Sequence, residues 1–86
     1  MNEEKKKALQ LLKTCRGQID GIIKMIEDGR YCVDISNQII ASQSLLKKSN
    51  QLILKQHMHC CVKEAITENK ADEKIDEMLD ILNKLI

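Results

Sequence analysis

The sequence predicts an all-α protein with three helices per chain, one of them long and central. Three observations carry this prediction. The 86 residues include no proline, and the three glycines all fall between residues 17 and 29. Large apolar residues, almost all Leu, Ile and Met, recur at three- and four-residue steps rather than in alternation. Only two segments, "EDGRY" and "TENKAD", carry clear stop signals.

Leu9, Leu12, Ile19, Ile22, Ile23 and Ile26 form the apolar stripe of a first amphipathic helix. It ends near Gly29, which can take the left-handed position just past a helix. Gly17 and Gly21 lie inside this helix and cost about 1 kcal/mol each relative to Ala. Glycines four apart share a face and imply a close neighbour there, either another helix or a DNA backbone. From Tyr31 to about Thr67 nothing interrupts helix formation. Ile35, Ile39, Leu45 or Leu46, Leu52, Ile53 and Val62 continue an apolar stripe through a helix more than about 50 Å long. Such a helix cannot bury itself against an 86-residue chain, so it implies a partner helix, most simply from a second copy. Asn69 is then the expected N-cap of a last helix, with Asp72 completing a capping-box-like arrangement. That helix carries Ile75, Met78, Leu79, Leu82, Leu85 and Ile86 as its stripe. One domain spans residues 1–86.

Composition narrows the function classes. A single domain this short buries about 60% of its unfolded surface, so a lone monomer is marginal. The one aromatic residue is Tyr31. No apolar run approaches the roughly 20 residues that cross a bilayer. "MNEEKKKALQ" has charges but no apolar run behind them, unlike a secretory signal. A cytoplasmic location is expected, where thiols stay reduced and four irregularly spaced cysteines point to metal binding or redox sensing. Residues 1–63 carry 11 Lys/Arg against 6 Asp/Glu, whereas residues 64–86 carry 3 Lys against 7 Asp/Glu. A basic body with an acidic tail permits an anionic partner such as DNA.

The chemistry concentrates in "QHMHCCVKEA", which holds both histidines and two of the four cysteines. On a helix, His57 and Cys61 lie one above the other, the arrangement of metal ligands. Cys60 lies about 60° to the other side of His57, and His59 points nearly the opposite way. Two ligands need a third, and Cys32 is the candidate. It lies 25 residues before His57, about 40 Å along one straight helix. Antiparallel pairing of two copies of the long helix removes this obstacle. If the two-fold axis falls between Leu45 and Leu46, Cys32 of one copy meets His57 and Cys61 of the other, twice per dimer. Two thiolates and one imidazole suit Cu(I), and Zn(II) competes if Cys60 joins as a fourth ligand. The competing reading makes these cysteines small hydrophobes and His57 an ordinary polar helix residue.

"RGQIDGIIKMIEDGRYCVDISNQIIAS" followed by "QHMHCCVKEA" resembles the CsoR/RcnR/FrmR family of bacterial metal- and thiol-sensing repressors. The resemblance covers roughly residues 5 to 86. It rests on Gly17-Gln18, the run around Tyr31-Cys32, and a His-x3-Cys placed 25 residues after that cysteine. It implies an antiparallel four-helix dimer core, further association into a homotetramer, and operator DNA binding without a helix-turn-helix. Among the branches, copper sensors use Cys, His and Cys, which match Cys32, His57 and Cys61. The nickel/cobalt branch needs histidines where this chain has Glu3 and Cys61. The formaldehyde branch needs an N-terminal proline where Asn2 stands, and the persulfide branch lacks the histidine. Tyr31 and Glu77 match two residues that support the histidine ligand in the copper branch. Departures are Thr14 in place of a common arginine, Cys15 in place of an aliphatic residue, Arg16 in place of an acid, and Lys48 in place of a frequent arginine.

The expected function is therefore a Cu(I)-responsive transcriptional repressor and not an enzyme. Lys13, Arg16 and Lys48 are the expected phosphate contacts, helped by Lys5, Lys6, Lys7 and Lys47. Two alternatives stay open: a thiol-redox repressor acting through Cys32 and Cys61, and a copper-buffering protein that does not bind DNA.

Overall fold

The computed structural model describes residues 1–85; Ile86 and the side chains of Cys61, Ala65 and Ala71 lie outside the described residues. The chain consists of α1 (Glu3–Glu27), α2 (Cys32–Glu68) and α3 (Ala71–Leu85), with no strand among the described residues. No helix among these residues is long and apolar enough to cross a membrane.

Helix ends follow from local chemistry. Asn2 caps α1: the Lys5 N–H donates to Asn2 Oδ1 at 2.8 Å, and Glu3 and Glu4 add negative charge to the first turn. At the other end Gly29 has φ +68°. The Gly29 N–H donates to the Ile26 carbonyl at 3.1 Å and the Arg30 N–H to the Met25 carbonyl at 2.9 Å. This is the paired closure of a Schellman motif, and only glycine adopts its backbone without strain. The expected cap of α3 differs. Asn69 has φ +55° and stands directly after Glu68, so it closes α2 in the left-handed position. The first α3 bond instead runs from the Lys74 N–H to the Lys70 carbonyl at 3.2 Å. Asn tolerates the left-handed region better than any residue but glycine, which makes it a helix terminator here rather than an initiator.

The chain divides into two compact units, residues 1–54 and 55–86. In the first, α1 and the first part of α2 run antiparallel. The buried residues of α1 are Ala8, Cys15 and Ile22, and those of α2 are Ser42 and Ser49. Both sets step by seven, the repeat of a helix–helix seam. The Cys15 S–H donates to the Ser42 carbonyl at 3.7 Å, and the Ser42 hydroxyl donates to Gln18 Oε1 at 3.0 Å. The Ser49 hydroxyl turns back to the Leu45 carbonyl at 2.9 Å, so its burial leaves no unsatisfied donor.

This seam corrects one expectation. Of the predicted α1 stripe only Ile22 is buried; Leu9, Leu12, Ile19, Ile23 and Ile26 are exposed. Small side chains seat α1 against α2, and the Leu/Ile stripe faces away from the seam. Gly17 and Gly21 likewise have nothing among the described residues within 4 Å of an added Cβ, so these residues do not supply their expected close neighbour. The second unit repeats the pattern. Ile75, Leu79, Leu82 and Leu85 of α3 are exposed, whereas Lys74, Met78 and Ile81, on one helix face, are half-buried.

Candidate metal-sensing site

His57 lies on the part of α2 that belongs to the second unit, and its ring is turned toward α3. His57 Nε2 stands 3.2 Å from Glu77 Oε1, with the histidine side chain 31% exposed. The contact is α2 to α3, and it occupies one of the two ring nitrogens. Glu77 does not act alone. Its Oε2 lies 3.8 Å from Lys74 Nζ, which is itself 2.8 Å from Glu64 Oε2. Glu64 stands seven residues after His57 on α2, and Lys74 three before Glu77 on α3. These spacings put each pair on one helix face. The result is a chain of contacts, His57–Glu77–Lys74–Glu64, which crosses between the helices at both ends. The Lys74 hydrogen bond, reinforced by the lysine charge, holds the Glu64 carboxyl below the usual carboxylate range.

Sequence reasoning missed Glu64 and Lys74. The available signal was positional: an acid two turns after His57 and a lysine one turn before Glu77.

The remaining candidates fall in different places. Cys32 opens α2 within the first unit; it is exposed and carries no disulfide. Tyr31, also in the first unit, is 69% exposed, and its carbonyl accepts the Ile35 N–H at 3.2 Å at the start of α2. Cys61 occupies an α2 position four residues after His57, but its side chain lies outside the described residues. Cys60 is exposed and accepts a bond from Gln56 Nε2 at 3.4 Å. His59 is exposed and lines a shallow groove with Lys55, Met58, Val62 and Lys63. Among the described residues, no three His, Cys, Asp or Glu side chains gather into a metal-holding group.

The donors fit a soft monovalent metal. Thiolates and a neutral imidazole match Cu(I), and an imidazole held at Nε2 by a carboxylate presents Nδ1 as the ligand atom. The contact to Glu77 supplies that hold.

All seven candidate phosphate-binding residues lie in the first unit and are exposed. Lys7 and Lys48 face each other across the helix pair, lining one open groove with Gln10, Leu11 and Leu52. Lys6 and Lys13, seven apart, share a face of α1, and Lys6 also approaches Glu3 at 3.8 Å.

Residues 4–84 match the family model described as a metal-sensitive transcriptional repressor. The copper-sensing transcriptional repressor CsoR of Mycobacterium ulcerans is 40% identical over 80 residues, covering 93% of this chain and 68% of the relative. That of Bacillus subtilis is 40% identical over 83 residues, covering 96% of this chain and 82% of the relative. Among solved structures, the copper-sensing repressor CsoR with Cu(I) from Geobacillus thermodenitrificans superposes with a TM-score of 0.87 at 35% identity. The match covers 99% of this chain and 88% of that one. The chain belongs to the metal-sensitive transcriptional repressor family, on the side of its copper-sensing members.

Proposed function

We propose that this chain is a Cu(I)-responsive transcriptional repressor that holds operator DNA in its metal-free form and lets go when Cu(I) binds. The observation that carries this reading is the His57–Glu77 contact, which couples the imidazole on α2 to α3 through Nε2. Copper-sensing relatives at 40% identity point the same way.

In this reading Cys32, His57 and Cys61 are the ligands, contributed by two copies of the chain in a homodimer or homotetramer. The outward Leu and Ile stripes of α1 and α3 supply apolar surface for that assembly. Cys32, His57 and Cys61 would hold Cu(I), which would supply a soft Lewis-acid centre for their donor atoms. The chain does the rest: Glu77 fixes the ring, Tyr31 supports it, and α3 follows the position of Glu77. Lys13, Arg16 and Lys48, with Lys5, Lys6, Lys7 and Lys47, hold DNA phosphates in the metal-free state. A ligand shifts this balance only by binding the two states unequally. The site works in the cytoplasm, where its thiols stay reduced.

The test is operator affinity by fluorescence anisotropy, with and without one equivalent of Cu(I) under anaerobic conditions. The expected result is tight metal-free binding that falls steeply with salt and is weakened by Cu(I). Release by a persulfide donor but not by Cu(I) would replace the reading with a thiol-redox one. Tight Cu(I) binding with no DNA binding at any salt would replace it with a copper-buffering one.

A further inference from the structure

The chain of contacts behind His57 contains a residue that the ligand chemistry does not require. Glu77 is 45% exposed and sits on a long, flexible side chain. A carboxylate with that freedom loses conformational entropy when it is held against an imidazole. Lys74 stands where it can offset that loss. It is the least exposed member of the group at 24%, and Glu64 pins it from the other helix at 2.8 Å. From that fixed position its ammonium addresses Glu77 Oε2, the oxygen that does not face His57.

We propose that Lys74 is a positioning residue: by bridging Glu64 on α2 and Glu77 on α3, it keeps Glu77 Oε1 presented to His57 Nε2 and so ties α3 to the state of the imidazole. Its action runs wholly through Glu77. Without Lys74, Glu77 swings into solvent and the imidazole loses its brace, although the metal ligands are untouched. Arginine at 74 retains the bridge, because its guanidinium can serve two carboxylates at once. The functional half of this inference rests on the copper-sensing reading; the geometric half does not.

The experiment has two arms. In metal-free protein at neutral pH, the ring nitrogen resonances of His57 are read by NMR, with His59 as internal control. Lys74→Met should move the His57 signals toward those of Glu77→Gln and leave His59 in place. It should add nothing further in a Glu77→Gln background, and Lys74→Arg should restore the wild-type signals. In the second arm, Lys74→Met should bind Cu(I) with unchanged stoichiometry. The ratio of operator affinities, metal-free over Cu(I)-loaded, should fall by about tenfold, the lower end of what loss of a partner behind a metal ligand causes.

If helical content is lost in Lys74→Met, Glu64→Gln takes its place and should shift His57 in the same direction by less. Wild-type His57 signals in both variants would overturn the proposal, as would an equal effect of Lys74→Met with and without Glu77. Absence of Cu(I)-dependent release in the wild-type protein would sink the functional reading alone, because the metal-free arm decides the role of Lys74 independently.

Discussion

Residues 1–54 and residues 55–86 are held together by opposite means. The first unit closes on a buried seam, with Ala8, Cys15 and Ile22 on one helix and Ser42 and Ser49 on the other. Its polar atoms are satisfied locally, and its charges lie outside. Among the described residues the second unit has no fully buried side chain, and a chain of charged groups joins its two helices. Close packing resists small displacements because interiors have little free volume. A half-exposed charged network is individually weak and sensitive to protonation, salt and ligands. The contrast separates the packed seam of the first unit, which keeps a shape, from the charged network of the second, which can respond. Substitutions within the seam should cost stability and leave coupling intact. Those within the charged network should do the reverse.

The largest expected effect concerns the ligands. Cys32→Ser and Cys61→Ser should each abolish tight Cu(I) binding in an anaerobic competition titration, with helical content unchanged, whereas His59→Ala should bind as the wild type does. Equal damage from Cys60→Ser and Cys61→Ser would show that the assignment of the facing cysteine is wrong. Next comes the seam. Ala8→Leu inserts three carbons where the side chain is 1% exposed and should destabilise the protein by about 1–3 kcal/mol in urea unfolding. The ratio of metal-free to Cu(I)-loaded operator affinity should not change. A normal melt with a lost ratio would erase the division between the two units.

Much of the fold was legible because helix ends are decided by neighbouring residues. Gly29 ends α1 in the left-handed position, as its place in "EDGRY" implies. Asn69 was misread as an N-cap, because the same short polar side chain suits both ends of a helix and only the backbone conformation decides. The Leu/Ile stripes were legible as faces, but periodicity does not say what covers a face. Ala8, Ser42 and Ser49 do not stand out in the sequence, and Cys15 stands out only as a departure from the family, because small and polar residues carry little weight in a hydrophobic pattern, although they allow close helix approach. Among the candidate site residues, His57 and Cys61 are singled out by four-residue spacing, and Glu77 only by a family resemblance. Glu64 and Lys74 stayed hidden among other exposed-looking charges until the two helices were seen side by side.

The smallest effect is on acid titration. The Glu64 carboxyl is lowered by Lys74, so its ion pair contributes fully above the ordinary carboxylate value and is lost as pH falls through the lowered one. Protection factors of the α3 amides, taken relative to intrinsic exchange at each pH, should therefore fall on acidification through that range at low salt. Lys74→Gln should remove the acid dependence. Unchanged protection at low pH would mean that packing rather than charge holds α3.

The central claim is that the signal leaves His57 through Glu77. The most direct measurement is operator affinity of metal-free and Cu(I)-saturated protein at one fixed salt concentration, for wild type, Tyr31→Phe and Glu77→Ala. The ratio of the two affinities is the coupling free energy, and comparison across different salt would be meaningless. Both variants should keep tight Cu(I) binding yet release DNA incompletely, with ratios about 10–100-fold below the wild-type value. Wild-type ratios in both would contradict the account, leaving copper ligation without a relay behind it.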